Sequence, residues 1–199
     1  MLIYKIIYWA GVIIEVIIRA PYQKMAKANQ AAKRHVTTTE MAVLFLLLLG
    51  SGILPLVYTF TPWLGFADYH LPPWMGWLGI LVECAALYLF YRSHNDLKDN
   101  WSPSLEIYQE HTLVTEGIYR FIRHPMYASQ WLMVIAQILL LQNWLAGPTG
   151  LIVFIPFYFL RFPAEEKMML DTFGDEYRAY MQRTGRVIPK LGRPAAENR

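Results

Sequence analysis

The stretch "GIYRFIRHPMYASQW", residues 117–131, sets Arg120, Arg123, His124 and Pro125 directly against an apolar run. A second charged stretch, "RFPAEEK" at 161–167, closes another apolar run. Proline suits the first position of a helix. The free amides of a helix start at Pro125 would favour an anion, here beside Arg123. The same residues fit an interfacial arginine in an aromatic belt equally well. In the second stretch Glu165 follows Arg161 by four residues. An arginine binds a carboxylate bidentately, and a carboxylate binds an ammonium. The plainer alternative is a snorkelling arginine followed by acids that favour a helix start. Taken together, the two stretches suit a site for a charged cofactor at a membrane surface. A metal is not expected. His111, Tyr119 and His124 are irregularly spaced, no HExxH occurs, and Cys84 is the only cysteine.

These residues need elements to hold them, and the composition says which kind. The chain has 199 residues, 55% of them hydrophobic and only 17% charged. A soluble domain carries roughly 25% charged residues, so long apolar runs here indicate an all-α integral membrane protein. Five such runs are legible: Leu2–Ile18, Met41–Thr61, Trp74–Tyr91, Met126–Trp144 and the short Pro148–Phe162. Seventeen of the eighteen Lys/Arg residues fall on alternate connections. This charge bias predicts five transmembrane helices with the N-terminus outside and the C-terminus in the cytoplasm. A single domain is expected over 1–191, with a cytoplasmic loop, a catalytic part over about 104–190, and a disordered tail at 192–199. Residues 164–185 read as an amphipathic helix in which Met168, Met169, Phe173, Tyr177 and Tyr180 share a face and Gly174 interrupts the pattern. A formal charge of +3 does not call for nucleic acid.

Two acids fall inside apolar runs, where ionisable groups are costly. Glu15 has Arg19 four residues on as a local partner. Glu83 has none, and Gln130 and Gln137, which share a face seven residues apart, could bond across helices to it or to other groups. Structural pairing is the expectation for both acids, with substrate handling left open.

The ordered combination "HTLVTEGIYRFIRHPMY", then "EE" after about forty residues, then "FGDEYRAY", resembles the isoprenylcysteine carboxyl methyltransferase family and the wider group that includes phospholipid N-methyltransferases. The resemblance covers about residues 104–190. It implies S-adenosyl-L-methionine as methyl donor, with S-adenosyl-L-homocysteine as product. The missing GxGxxG motif agrees with a cofactor bound outside a Rossmann fold. By match to the motif, His111, Thr112, Leu113, Val114 and Tyr119 would line the cofactor, and His124, Pro125, Met126 and Tyr127 would continue that wall. Glu165 would meet the charged amino-acid end of the cofactor. Arg161 would hold the substrate carboxylate, which makes Arg161 and Glu165 the catalytic candidates.

The acceptor implied is a prenylated C-terminal cysteine, reached from the lipid bilayer. The membrane would be the plasma membrane in a prokaryote and the endoplasmic reticulum in a eukaryote. Two departures from the family pattern stand out. Ser129 replaces the glycine of "RHPxYxG", and five spans replace the six or eight of eukaryotic members. Phospholipid amine N-methylation, a sterol-type membrane reductase and a small channel subunit are the competing readings.

Overall fold

The computed structural model describes residues 2–28, 38–101 and 112–190, and within them all regular structure is helical. His111 and the tail expected at 192–199 lie outside the described residues. Helix α1 spans Leu2–Ala28 and α2 spans Thr38–Leu48; a π-turn at Leu49–Ile53 leads into α3, Leu54–Phe60. Helices α4 (Pro73–Leu97), α5 (Pro125–Leu141) and α6 (Thr149–Arg183) follow. Met41–Phe60 and Pro73–Leu97 are long and apolar enough to cross a membrane, and Pro125–Leu141 is a shorter apolar helix. Phe45, Leu46 and Leu56 on the first, and Trp77, Leu81 and Tyr88 on the second, are exposed. Apolar patches of that kind suit lipid rather than water.

Helix α4 packs most extensively on α5, and α1 crosses both. The crossing of α1 over α4 depends on Gly11: a Cβ there would sit 1.8 Å from Glu83 Oε1. Glu83 is buried at that crossing. A core of Tyr8, Tyr58, Ala136, Leu140 and Leu141 fills one end of the bundle, and Tyr127, Val134, Phe154 and Tyr158 fill the other.

The π-turn has a local cause. Pro55 has no N–H to return to the preceding turn, and backbone carbonyls inside a bilayer must find donors. The carbonyl of Gly50 accepts from Gln137 Nε2 at 2.9 Å, and that of Ser51 from Tyr8 Oη at 2.7 Å. Gln137 also donates to the Ala146 carbonyl at 2.7 Å. Gln130 donates to Glu15 Oε1 at 2.8 Å. The glutamines therefore do bond across helices as expected, but among the described residues neither reaches Glu83. Glu15 and Arg19 likewise make no direct ion pair there.

The sequence predicts a short apolar fifth segment and then a separate amphipathic helix. Instead α6 continues from Thr149 through Pro156 and Pro163 without a break between the apolar and amphipathic parts, and kinks at Gly174 (φ 52°, ψ −121°), the interruption expected there, before ending at Arg183. A proline costs the helix one hydrogen bond and some bending. Packing at both ends of α6 outweighs that loss, so the amphipathic part continues the apolar part. At Gly174 the positive φ is one that glycine adopts without strain, and a Cβ would meet nothing within 4 Å; the position tests backbone freedom rather than space.

Gln137 holds two buried carbonyls from two other parts of the chain, so Gln137→Leu should lower stability by ~1–2 kcal/mol, the range for hydrogen bonds between membrane helices. Thermal unfolding in detergent measures it; an unchanged midpoint would mean that the π-turn closes on itself.

Candidate active site

The site is built outward from α4. Asp96, in its last turn, accepts from the Ile118 N–H at 2.8 Å and pairs with Arg92 at 3.0 Å. Gly117 (φ 59°) has to lack a side chain here, because a Cβ would lie 2.2 Å from Asp96 Oδ2. Tyr119 Oη donates to the Ser93 carbonyl at 3.2 Å, and Tyr180 Oη donates to the Tyr119 carbonyl at 2.6 Å. The turn at Gly117–Arg120 is thereby clamped between the end of α4 and the end of α6.

The segment after α6 then doubles back. Arg123 N–H donates to the Gly185 carbonyl and His124 N–H to the Arg186 carbonyl, both at 2.9 Å, while Gly185 N–H donates to Phe121. This backbone pairing delivers Arg186 and Thr184 to the start of α5. Pro125 occupies the first position of that helix, as the sequence indicates.

The charged groups of both stretches converge at this corner. Arg123 Nη2 lies 3.0 Å from Glu166 Oε1, and Arg186 Nη2 lies 3.1 Å from Glu166 Oε2. Arg123 Nη1 donates to the Thr184 carbonyl at 2.6 Å. The His124 ring sits between two carboxylates, with Nδ1 3.6 Å from Glu165 Oε1 and Nε2 3.4 Å from Glu166 Oε1. Tyr127 Oη donates to Glu165 Oε2 at 2.7 Å. Arg186 also lies over the Phe162 ring, 4.4 Å from its centroid.

Burial alone would raise the Glu166 carboxyl, but the hydrogen bonds of His124, Arg186 and Arg123 overcome it and hold the group at about 2. Glu165 is also lowered: burial opposes ionisation, and His124, Tyr127 and the nearby charge of Arg161 outweigh it. His124 moves the other way. Burial would lower it, but its bonds to Glu165 and Glu166 raise it. The corner is thus a polar network in which the His124 ring lies between two carboxylates.

Beside it lies one cavity of about 730 Å³. Thr112, Leu113, Val114, Tyr119, His124, Pro125, Met126, Tyr127, Arg161 and Glu165 all line it. Every candidate residue that falls among the described ones therefore faces a single space. Thr112 is held there through Asn100, whose Oδ1 accepts its N–H at 3.0 Å. Met168, Met169, Tyr177 and Tyr180, four of the five residues expected on one face of the amphipathic helix, also face it. The Glu165 side chain is 31% exposed, toward that space, while Glu166 is at 9%. Adjacent acids thus do different work: Glu165 addresses the cavity and Glu166 ties the corner.

Sequence reasoning missed several of these residues. Arg123 is occupied by Glu166 and backbone carbonyls, so it does not wait for an external anion at the helix start. Arg186 had no distinguishing pattern, because its role depends on the chain doubling back. Glu15, Arg19 and Gln130 line the same cavity, although α1 is remote in sequence from both charged stretches.

A model of the isoprenylcysteine carboxyl methyltransferase family matches residues 77–171, which include both the RHPMY corner and the Arg161/Glu165 pair. Over that segment, a little under half of the chain, the protein resembles this family. It is similar to the protein-S-isoprenylcysteine O-methyltransferase of Schizosaccharomyces pombe, with 32% identity over 83 residues, 42% of this chain and 35% of that one. The human protein of that name is 29% identical over 123 residues, 58% of this chain and 42% of its own length. Among solved structures it resembles the eukaryotic intramembrane Ras methyltransferase, with a TM-score of 0.51 and 25% identity over 76% of this chain and 50% of the other. The chain therefore spans half or less of each of these three relatives. The "FGDEYRAY" segment at 173–180 lies beyond the family match, and Tyr177 and Tyr180 are nonetheless part of the cavity wall.

The opposite shifts at the corner set its pH dependence. Glu166 contributes stability above its ordinary value of 4.5, lost as pH falls toward about 2. His124 contributes stability below its ordinary 6.5, lost as pH rises through its raised value. Melting temperature in detergent should therefore be highest between these ordinary values. Glu166→Gln should flatten the acid limb and cost ~3–5 kcal/mol, as expected when one partner of a buried pair is removed. An acid limb that survives the substitution would place the titrating group elsewhere.

Proposed function

We propose that this protein transfers a methyl group from S-adenosyl-L-methionine to the α-carboxylate of a prenylated C-terminal cysteine. The observation that carries the reading is that Arg161, Glu165 and the RHPMY corner face one cavity, which apolar residues of α1 and α2 also line. The proposed arrangement is five membrane crossings, N-terminus outside, with this cavity toward the cytoplasmic side and the charged tail on that side as well.

The residues present fit the cofactor. The cavity lies within the ~300–1,000 Å³ usual for ligand sites. It offers an ionised carboxylate at Glu165 for an ammonium, aromatic faces at Tyr119 and Tyr127, and apolar walls at Leu113, Val114 and Met126. When bound, S-adenosyl-L-methionine supplies an electrophilic methyl on a sulfonium. Tyr127 and His124 hold Glu165 in one orientation and keep it ionised. Arg161 orients the acceptor carboxylate, and its charge already acts on Glu165. An α-carboxyl titrates near 3.5, so this acceptor is ionised at neutral pH and needs no base. Alignment can contribute up to ~7–11 kcal/mol in well-oriented reactions. Opposite charges that disappear as the methyl moves are further helped by the exclusion of water, which the walls of α1, α5 and α6 provide.

The hydrogen bonding at the corner favours the carboxylate over an amine acceptor. An amine must lose a proton before it reacts, whereas a carboxylate needs no base, and the Glu165 carboxylate that faces the cavity already accepts a hydrogen bond from Tyr127.

S-adenosyl-L-homocysteine at a hundred times its Kd should stabilise the protein by about 2.7 kcal/mol, read as a rise in melting temperature. Arg161→Ala should abolish methylation of farnesylcysteine-type acceptors and keep that rise. A panel of farnesylcysteine, amine lipids and sterols assayed with labelled donor separates the readings. Loss of the thermal rise in Arg161→Ala would move Arg161 to the cofactor, and methylation of amine lipids alone would overturn the carboxylate assignment.

A further inference from the structure

Helix α1 brings a stripe of side chains to the cavity from outside the family-matched segment. Val12, Glu15, Val16 and Arg19 recur at the three- and four-residue spacing of one helix face, and all four line the space that Arg161 lines from α6. The stripe changes character along its length. Val12 and Val16 line the cavity together with Leu44 and Leu48, while Glu15, Arg19 and Gln23 add polar and charged groups along the same helix.

Arg19 is held without being neutralised by contact. Its guanidinium lies 5.8 Å from the ring centroids of both Phe90 and Trp101, a cation–π setting that fixes the fork but leaves its N–H groups available. Among the described residues no carboxylate is in ion-pair contact with it. Glu15, one turn away, is turned to Gln130 at 2.8 Å. Arg19 is within electrostatic reach of Glu15, which attracts it, and of Arg161, which repels it. Both arginines face one cavity, so an anion there is attracted by cations on two helices.

We propose that Arg19 is a second acceptor-binding residue, which with Arg161 holds the anionic head of an amphiphile whose chain lies along Val12, Val16, Leu44 and Leu48. This rests on the carboxylate reading above and goes beyond it. It assigns part of acceptor selection to α1, where the family match does not reach. It also implies that the chain favours acceptors with a full negative charge over neutral lipids of the same length.

The test compares the wild-type protein with Arg19→Met and Arg19→Lys in detergent, using labelled S-adenosyl-L-methionine and N-acetyl-S-farnesylcysteine. Thermal stabilisation by S-adenosyl-L-homocysteine is the second readout. A hydrogen bond to a charged group contributes ~1.5–3 kcal/mol, so Arg19→Met should raise the acceptor KM about ten- to a hundredfold. The rise in KM should exceed any fall in kcat, Arg19→Lys should recover part of it, and the response to S-adenosyl-L-homocysteine should stay. An unchanged KM would overturn the inference and leave the carboxylate reading intact. Weaker S-adenosyl-L-homocysteine binding at unchanged acceptor KM would also overturn it, by giving Arg19 to the cofactor. If the wild-type protein methylates amine lipids and no carboxylate, the carboxylate reading falls and the Arg19 inference falls with it.

Discussion

Glu166 is the constraint on which the rest of the site depends. A carboxylate buried this deeply is tolerable only when charged donors surround it. It takes Arg123 from the turn before α5, Arg186 from the segment after α6 and the His124 ring between them. Three separate parts of the chain are therefore fixed relative to one another by the need to satisfy one charge. The net stability of such a network is modest, because desolvation offsets most of the attraction. Its effect is on register, since it ties the segment after α6 and the turn before α5 to one carboxylate.

That fixed corner gives Glu165 its role. Adjacent residues on a helix point about 100° apart, so when Glu166 is locked inward Glu165 is turned to the cavity. Tyr127 and His124 then define where its oxygens lie. The helix continues unbroken past Pro163, so Arg161, one turn earlier, is carried on the same rigid rod. A site for two charged molecules benefits from such rigidity, since the reacting groups need placement within a fraction of an ångström.

The membrane half of the molecule solves a different problem with the same logic. Pro55 and the glycines around it open a π-turn whose carbonyls would be orphaned in lipid. Tyr8 and Gln137 close them. The side chains that do this also pin α1 and α5 to the α2–α3 rod, and so set the width of the apolar side of the cavity. That space is lined both by charged groups and by Val16, Leu44 and Leu48.

The amino-acid pattern by itself determined a good deal. Apolar runs located the helices, Pro125 marked the start of α5, and the face carrying Met168, Met169, Tyr177 and Tyr180 was legible from spacing. The order of the RHPMY, EE and FGDEY elements carried the family resemblance, because those residues are local strings. Three things were decided only by tertiary structure. Whether Arg123 waits for a ligand or is consumed internally depended on Glu166 arriving from forty-three residues away. The importance of Arg186 depended on backbone pairing at Gly185, which no periodicity signals. Arg19 and Glu15 read as an ordinary pair on one helix until α1 was seen to cross α4 and α5 and bring both to the cavity. Sequence spacing reports neighbours along one element; a charge shared among several elements becomes visible only when they are packed.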